Sequence, residues 1–207
     1  MKVTSAWIAV ATLAAGMAMH SSTASAAIVF SDDFNGYSGQ LNWIPPTNWS
    51  ITSGSVDLIG ETPSGTSFDF YPGNGGYVDL NGTTGSPGTL QTLASFAAGT
   101  YTLSFALGGN ARGDGPKTTV VTLGTFSQPI TLAASDPLAI HSFTFTTSGG
   151  NLSFADLLGG NGNIGNILDN VAVAAVPESS SWAMVLLGFA SVGLLVYRRR
   201  APTFRVI

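Results

Sequence analysis

The chain has 207 residues, a formal net charge of −4, 9% charged and 44% hydrophobic residues, and no cysteine. Without thiols there is no disulfide framework and no thiolate metal centre, so stability outside a cell has to come from the core, backbone pairing or bound ions. Between residues 27 and 175 only Arg112 and Lys117 face ten acids, a net of about −8, and such a surface repels phosphate backbones and argues against nucleic acid as a partner.

At the amino end Lys2 precedes an apolar run over residues 6–19, followed by the small residues Ala24, Ser25 and Ala26. That order is expected of a secretory signal peptide over residues 1–26, with cleavage after Ala26.

Residues 27–175 are enough for one domain with a real core. Turn signals recur through them, among them Asn35-Gly36, Gly73-Asn74-Gly75-Gly76, Asn81-Gly82, Gly108-Gly109-Asn110 and Gly149-Gly150-Asn151. Between the turns lie short β-prone runs. In "TYTLSFAL" the residues Tyr101, Leu103, Phe105 and Leu107 share one face while Thr100, Thr102, Ser104 and Ala106 share the other, the alternation of a half-buried strand. "TTVVTLG", "FSQPITL", "HSFTFTT", "NLSFADL" and "ILDNVAVAAV" continue the series, and no segment of the middle has a helical period. The expectation is an all-β fold, an antiparallel β-sandwich of jelly-roll type with eight to eleven strands.

After the domain, residues 182–197 form a charge-free run bounded by Trp182 and Tyr197 and followed by Arg198, Arg199 and Arg200. As a helix it is roughly 24 Å long against a hydrocarbon core of about 30 Å, with aromatic rings at its ends and a membrane-stop cluster of arginines on the cytoplasmic side. The expected topology is a domain outside the inner membrane, a single transmembrane helix at 182–197 and a cytoplasmic tail at 201–207.

Val176-Pro177-Glu178, a short polar spacer, one apolar helix and a terminal arginine cluster resemble the PEP-CTERM sorting signal, over residues 176–200. The family's second proline is Ser179 here. The resemblance implies an exosortase as partner, a Gram-negative bacterium that makes exopolysaccharide, and transient anchoring on the periplasmic side before display at the cell surface or in the extracellular matrix. Pro177 suits recognition because it blocks strand extension and helix entry, leaving backbone for an enzyme to hold. "VDLNGTTGSPG", "AAGTYTLSFALGGN" and "ILDNVAV" also resemble the galactose-binding-like jelly rolls common in that family.

Two constellations invite chemistry. Asp169 alternates onto the face of Ile167, Val171 and Val173, and Asp32 falls between Phe30 and Phe34, so two inward carboxylates on the first and last strands could meet and hold a structural Ca²⁺. The competing reading has Asp169 accepting backbone amides and Asp32 or Asp33 capping a turn. Seven of the 21 aromatics, Tyr37, Trp43, Trp49, Phe68, Phe70, Tyr71 and Tyr77, crowd into residues 37–77, and aromatic faces are platforms for sugar rings. Trp43, in the proline-rich "NWIPPTNW", is the leading exposed ring, with Trp49 and Tyr71 as companions.

Catalysis finds no marked residues. His141 stands alone at the start of a strand, no nucleophile elbow occurs, and Asp57 with Asp69 or Asp79 carries no mark of an acid pair. The leading expectation is an exported, non-enzymatic β-sandwich that binds polysaccharide. A ligand-free structural matrix protein and a polysaccharide hydrolase are the alternatives.

Overall fold

A computed structural model describes residues 26–157, 162–177 and 179–199. Among the described residues twelve strands are formed: β1 (Ala27–Asp32), β2 (Trp49–Ser53), β3 (Asp57–Thr62), β4 (Gly65–Ser67), β5 (Gly76–Asp79) and β6 (Thr89–Phe96) in the first half. The second half supplies β7 (Gly99–Gly108), β8 (Lys117–Leu123), β9 (Phe126–Leu132), β10 (Ala139–Thr147), β11 (Gly150–Asp156) and β12 (Ile167–Ala175), followed by the helix α1 (Ser179–Arg199). The count exceeds the expected range by one because the short β4 adds a strand to the edge of its sheet.

All pairings are antiparallel. One sheet runs β10-β7-β12-β5-β3-β4 with β1 also paired to β12, and the other runs β2-β6-β11-β8-β9. Alternation decides what lies between them: β8 buries every second side chain, and β7 buries Tyr101, Leu103, Phe105 and Leu107 as its pattern requires. The two layers meet through rings, with Phe105 of β7 edge-on to Phe154 of β11 at 5.1 Å and Phe30 of β1 edge-on to Trp49 of β2 at 5.3 Å. Each such buried ring is worth roughly 1.5–3 kcal/mol over the exposed state. Pro129 sits on β9, an edge strand, where its missing amide costs no ladder bond.

β12 is the hinge of the topology. It pairs with β5 through Ile167 and Leu168, then with β1 from Val171 onward. Between these partners its register to β7 slips at Asp169–Ala172, where Asn170 takes φ 51°. Asparagine tolerates that left-handed conformation better than most residues, which lets the strand bulge and change neighbours.

The helix expected at 182–197 lies within α1. Among the described residues no helix is long and apolar enough to cross a membrane. Residues 1–25 of the expected signal peptide at 1–26, Glu178, Arg200 and residues 201–207 lie outside the described residues. Val176 donates its amide to the Thr100 carbonyl at 2.9 Å, and Pro177 follows outside any strand.

Candidate functional site

Asp57 and Asp79 are register partners across β3 and β5, so two carboxylates stand side by side at the ends of adjacent strands. Protein donors hold Asp57, which accepts from the Asn42 amide at 2.6 Å, the Thr83 amide at 3.0 Å and the Thr83 hydroxyl at 2.8 Å. Asp79 accepts from the amides of Asn81 at 3.0 Å and Gly165 at 2.9 Å, and its other oxygen pairs with the Arg112 guanidinium. Burial pushes the Asp79 carboxyl up, and the Arg112 charge pulls against that shift.

Arg112 in turn lies over the Phe70 ring at 4.9 Å. These groups line a cavity of about 170 Å³ whose apolar wall is Leu41, Ile59, Phe68 and Phe70 and whose polar wall is Asp57, Asp79, Thr83, Arg112 and Asn163. That volume is below the roughly 300 Å³ at which drug-sized sites begin, and it suits one small ring or the end of a chain.

Phe68 stands out in this wall. The residue is 63% exposed and its backbone has φ 49°. The left-handed region costs a bulky L-residue on the order of 1–2 kcal/mol, and such outliers gather at binding sites. Tyr77 fixes the loop that carries it: its hydroxyl donates to Asp69 at 2.8 Å and receives the amides of Phe70 and of Tyr71, the latter at 3.1 Å. Burial drives that hydroxyl's pKa upward, so it remains a phenol at any ordinary pH.

Trp43 and Trp49 were expected to be exposed platforms, and the structure corrects this. They are 3% and 2% exposed and pack on Phe34, at 6.2 Å and 5.6 Å between ring centroids. The prolines do make residues 44–46 a loop, but the backbone turns Trp43 inward and Ile44 outward. Tyr71 is half-buried, and its hydroxyl is taken by the Gly109 carbonyl at 2.8 Å and the Asp136 carbonyl at 2.9 Å, so it ties loops together. His141 stacks on Phe105 at 5.6 Å.

Asp32 and Asp169 do come to neighbouring strands, near one another and near Asp33. Four donors surround Asp32: the Phe34 amide at 2.9 Å on one oxygen, and Tyr37 at 2.7 Å, Trp49 Nε1 at 2.9 Å and Asn48 at 3.1 Å on the other. A carboxylate oxygen has two lone-pair positions, so the Asp32 oxygen that meets Tyr37, Trp49 and Asn48 is fully used by protein donors, while the other carries the Phe34 amide. Asp169 accepts from the Asn170 amide at 2.6 Å and side chain at 2.9 Å, and Asp33 accepts from the Asn35 amide at 3.1 Å. This is the turn-capping alternative. Burial raises the Asp169 carboxyl to about 7, with Asn170 opposing and the charges of Asp33 and Asp32 adding. Among the described residues no group of three or more His, Cys, Asp or Glu is placed to hold a metal ion.

No protein-family model matches the chain, and no curated protein matches it. Among solved structures it is similar to the K3 cleaved adhesin domain of Lys-gingipain from Porphyromonas gingivalis, at 15% identity and TM-score 0.48 over 72% of this chain and 100% of that one. It is also similar to a family 35 carbohydrate binding module from Clostridium thermocellum, at 17% identity and TM-score 0.37 over 71% of this chain and 99% of that one. A third likeness is to the CBM35 of Paenibacillus barcinonensis, at 16% identity and TM-score 0.37 over 67% and 99%. With every TM-score below 0.5, none of these carries a ligand or an activity over to this chain.

Proposed function

We propose that this chain is an exported, non-catalytic β-sandwich that binds carbohydrate through the pocket around Phe68 and Arg112. The observation that supports it is the exposed Phe68 ring, held in a costly backbone conformation beside a small cavity walled by Arg112, Asp57 and Thr83. Sugars present an apolar ring face and a girdle of hydroxyls, which call for one aromatic plane and a few fixed donors and acceptors. A cavity of about 170 Å³ suits one sugar ring, so the reading is recognition of a chain end or a side branch.

A hydrolase is the second reading, and the adjacency of Asp57 and Asp79 favours it. Both carboxylates are already held by protein donors, however, and a general acid needs a proton and an oxygen free for substrate. Binding of the full-length protein in detergent to an array of bacterial glycans tests the first reading, and release of reducing ends tests the second. A blank array with the wild-type chain removes the carbohydrate proposal and leaves a ligand-free matrix protein.

The address is proposed from the sequence. Residues 1–26 export the chain, 182–197 anchor it on the periplasmic side of the inner membrane, and Val176-Pro177-Glu178 offers an exosortase its handle before transfer to the surface or matrix. Arg198, Arg199 and Arg200 supply the positive charge that holds the tail inside.

A further inference from the structure

The two ends of the sandwich differ in charge. Strand β7 runs between them from Gly99 to Gly108, roughly 30 Å for its length. At the Gly108 end, Ile167 pairs with both Gly108 and Asp79, Asp79 pairs with Asp57, and Arg112 reaches Asp79. The Gly109 amide donates to the Asp136 carbonyl there at 3.0 Å. This is the end that carries the pocket.

The Gly99 end is built without charge. Gly99 pairs with Thr147, Phe96 with Gly150, Leu123 with Leu152, and Ala175 with both Tyr101 and Ala27. The segments that meet here, residues 27–30, 96–102, 123–126, 145–152 and 173–176, contain no acid and no base. Ile28 and Val29 among them are 69% and 51% exposed.

The chain also leaves the sandwich at this end. The Val176 amide donates to the Thr100 carbonyl, and α1 begins at Ser179 with Leu186, Phe189, Val192 and Leu194 exposed. Glu178 is the sole charged residue between Asp169 and Arg198. Anionic headgroups repel carboxylates over about 8–10 Å in physiological salt. Asp32, five residues along β1 from Ala27, stands roughly 17 Å up the strand, and the Asp57 and Asp79 pair stands farther still. A domain with ten acids and two bases therefore meets least repulsion from lipid by its Gly99 end.

We propose that the Gly99 end of the sandwich rests on the membrane surface, with Ile28 and Val29 among the headgroups, and that the pocket at Phe68 and Arg112 opens away from the lipid. The inference rests on the anchoring proposed above and adds to it the face that touches lipid and the direction of the pocket.

The chain has no cysteine, so single cysteines report position without interference. Ala98→Cys and Ser148→Cys mark the proposed contact, and Ser135→Cys marks the pocket end; all three positions are exposed. Each full-length variant carries a solvent-sensitive dye and is reconstituted into vesicles of phosphatidylcholine and phosphatidylglycerol with a spin label on the headgroup. On floated vesicles the first two dyes lose most of their emission and the third keeps it. Equal emission from all three, or quenching of the third alone, overturns the orientation while the anchor stands. Failure to float overturns both. Shielding of the first two dyes that grows with protein concentration in detergent assigns this face to a second copy and overturns the lipid contact.

Discussion

Asp57 and Asp79 face each other across β3 and β5, yet they are held in opposite ways, one by neutral donors alone and the other by a guanidinium. Arg112 is therefore structural at its inner end and available at its outer end, where it lies over Phe70. Arg112→Ala leaves the Asp79 carboxylate buried without its cation and costs about 3 kcal/mol of unfolding free energy. Asp79→Asn costs less, because Arg112 keeps 26% of its side chain in solvent. Urea titrations of the two variants, compared with wild type, check the order.

Phe68 gives the cleanest separation of binding from folding. Phe68→Gly relieves the positive φ, a gain of about 1–2 kcal/mol that roughly 0.5–1 kcal/mol of added unfolded-chain entropy offsets in part, so folding is expected to be kept while the stacking plane is removed. Calorimetry with a glycan found on the array should show at least a tenfold weaker affinity. Unchanged affinity would place the sugar elsewhere.

Stability should depend on pH in a direction unusual for an acidic protein. Burial raises Asp156 to about 7, with the Asp79 charge adding and Lys117 opposing, and Asp169 is likewise raised to about 7. An unfolded aspartate titrates near 3.9, so between roughly pH 4 and pH 7 the folded chain binds more protons than the unfolded one. Stability therefore rises as pH falls from 8 to 5. Asp156→Asn and Asp169→Asn each flatten the slope; a chain more stable at pH 8 than at pH 5 contradicts the assignment.

On the proposed anchoring, removal of residues 182–197 moves the chain from the membrane fraction to the soluble exported fraction; unchanged fractionation counts against the anchor. Mass spectrometry of the native carboxyl terminus is expected to find it near Pro177 or Glu178. A terminus at Ile207 would mean that the Ser179 variant of the motif is not processed.

The strands were legible because alternation is a local property. "TYTLSFAL" and "TTVVTLG" each state their inward face without reference to any other part of the chain, and β7 and β8 obey them. Lys117 shows the limit. It occupies an inward position of β8, and the placement of Asp114 beside it, with the Asp156 charge nearby, makes a wholly buried ammonium tolerable. Arg112 and Lys117 were conspicuous as the sole bases in an acidic domain, and that scarcity was the one signal that could have pointed to the polar cluster.

Sequence by itself determined the all-β class, the inward Asp169 and the crowding of aromatics, since composition and period-two patterning need no partner strand. Tertiary structure alone decided that Asp57 stands beside Asp79, that Trp43 turns in while Phe68 turns out, and that Asp156 meets Asn81 and the Lys117 charge. Those outcomes depend on register and loop direction between segments distant in the chain, and no local pattern encodes which partners a distant carboxylate will be given.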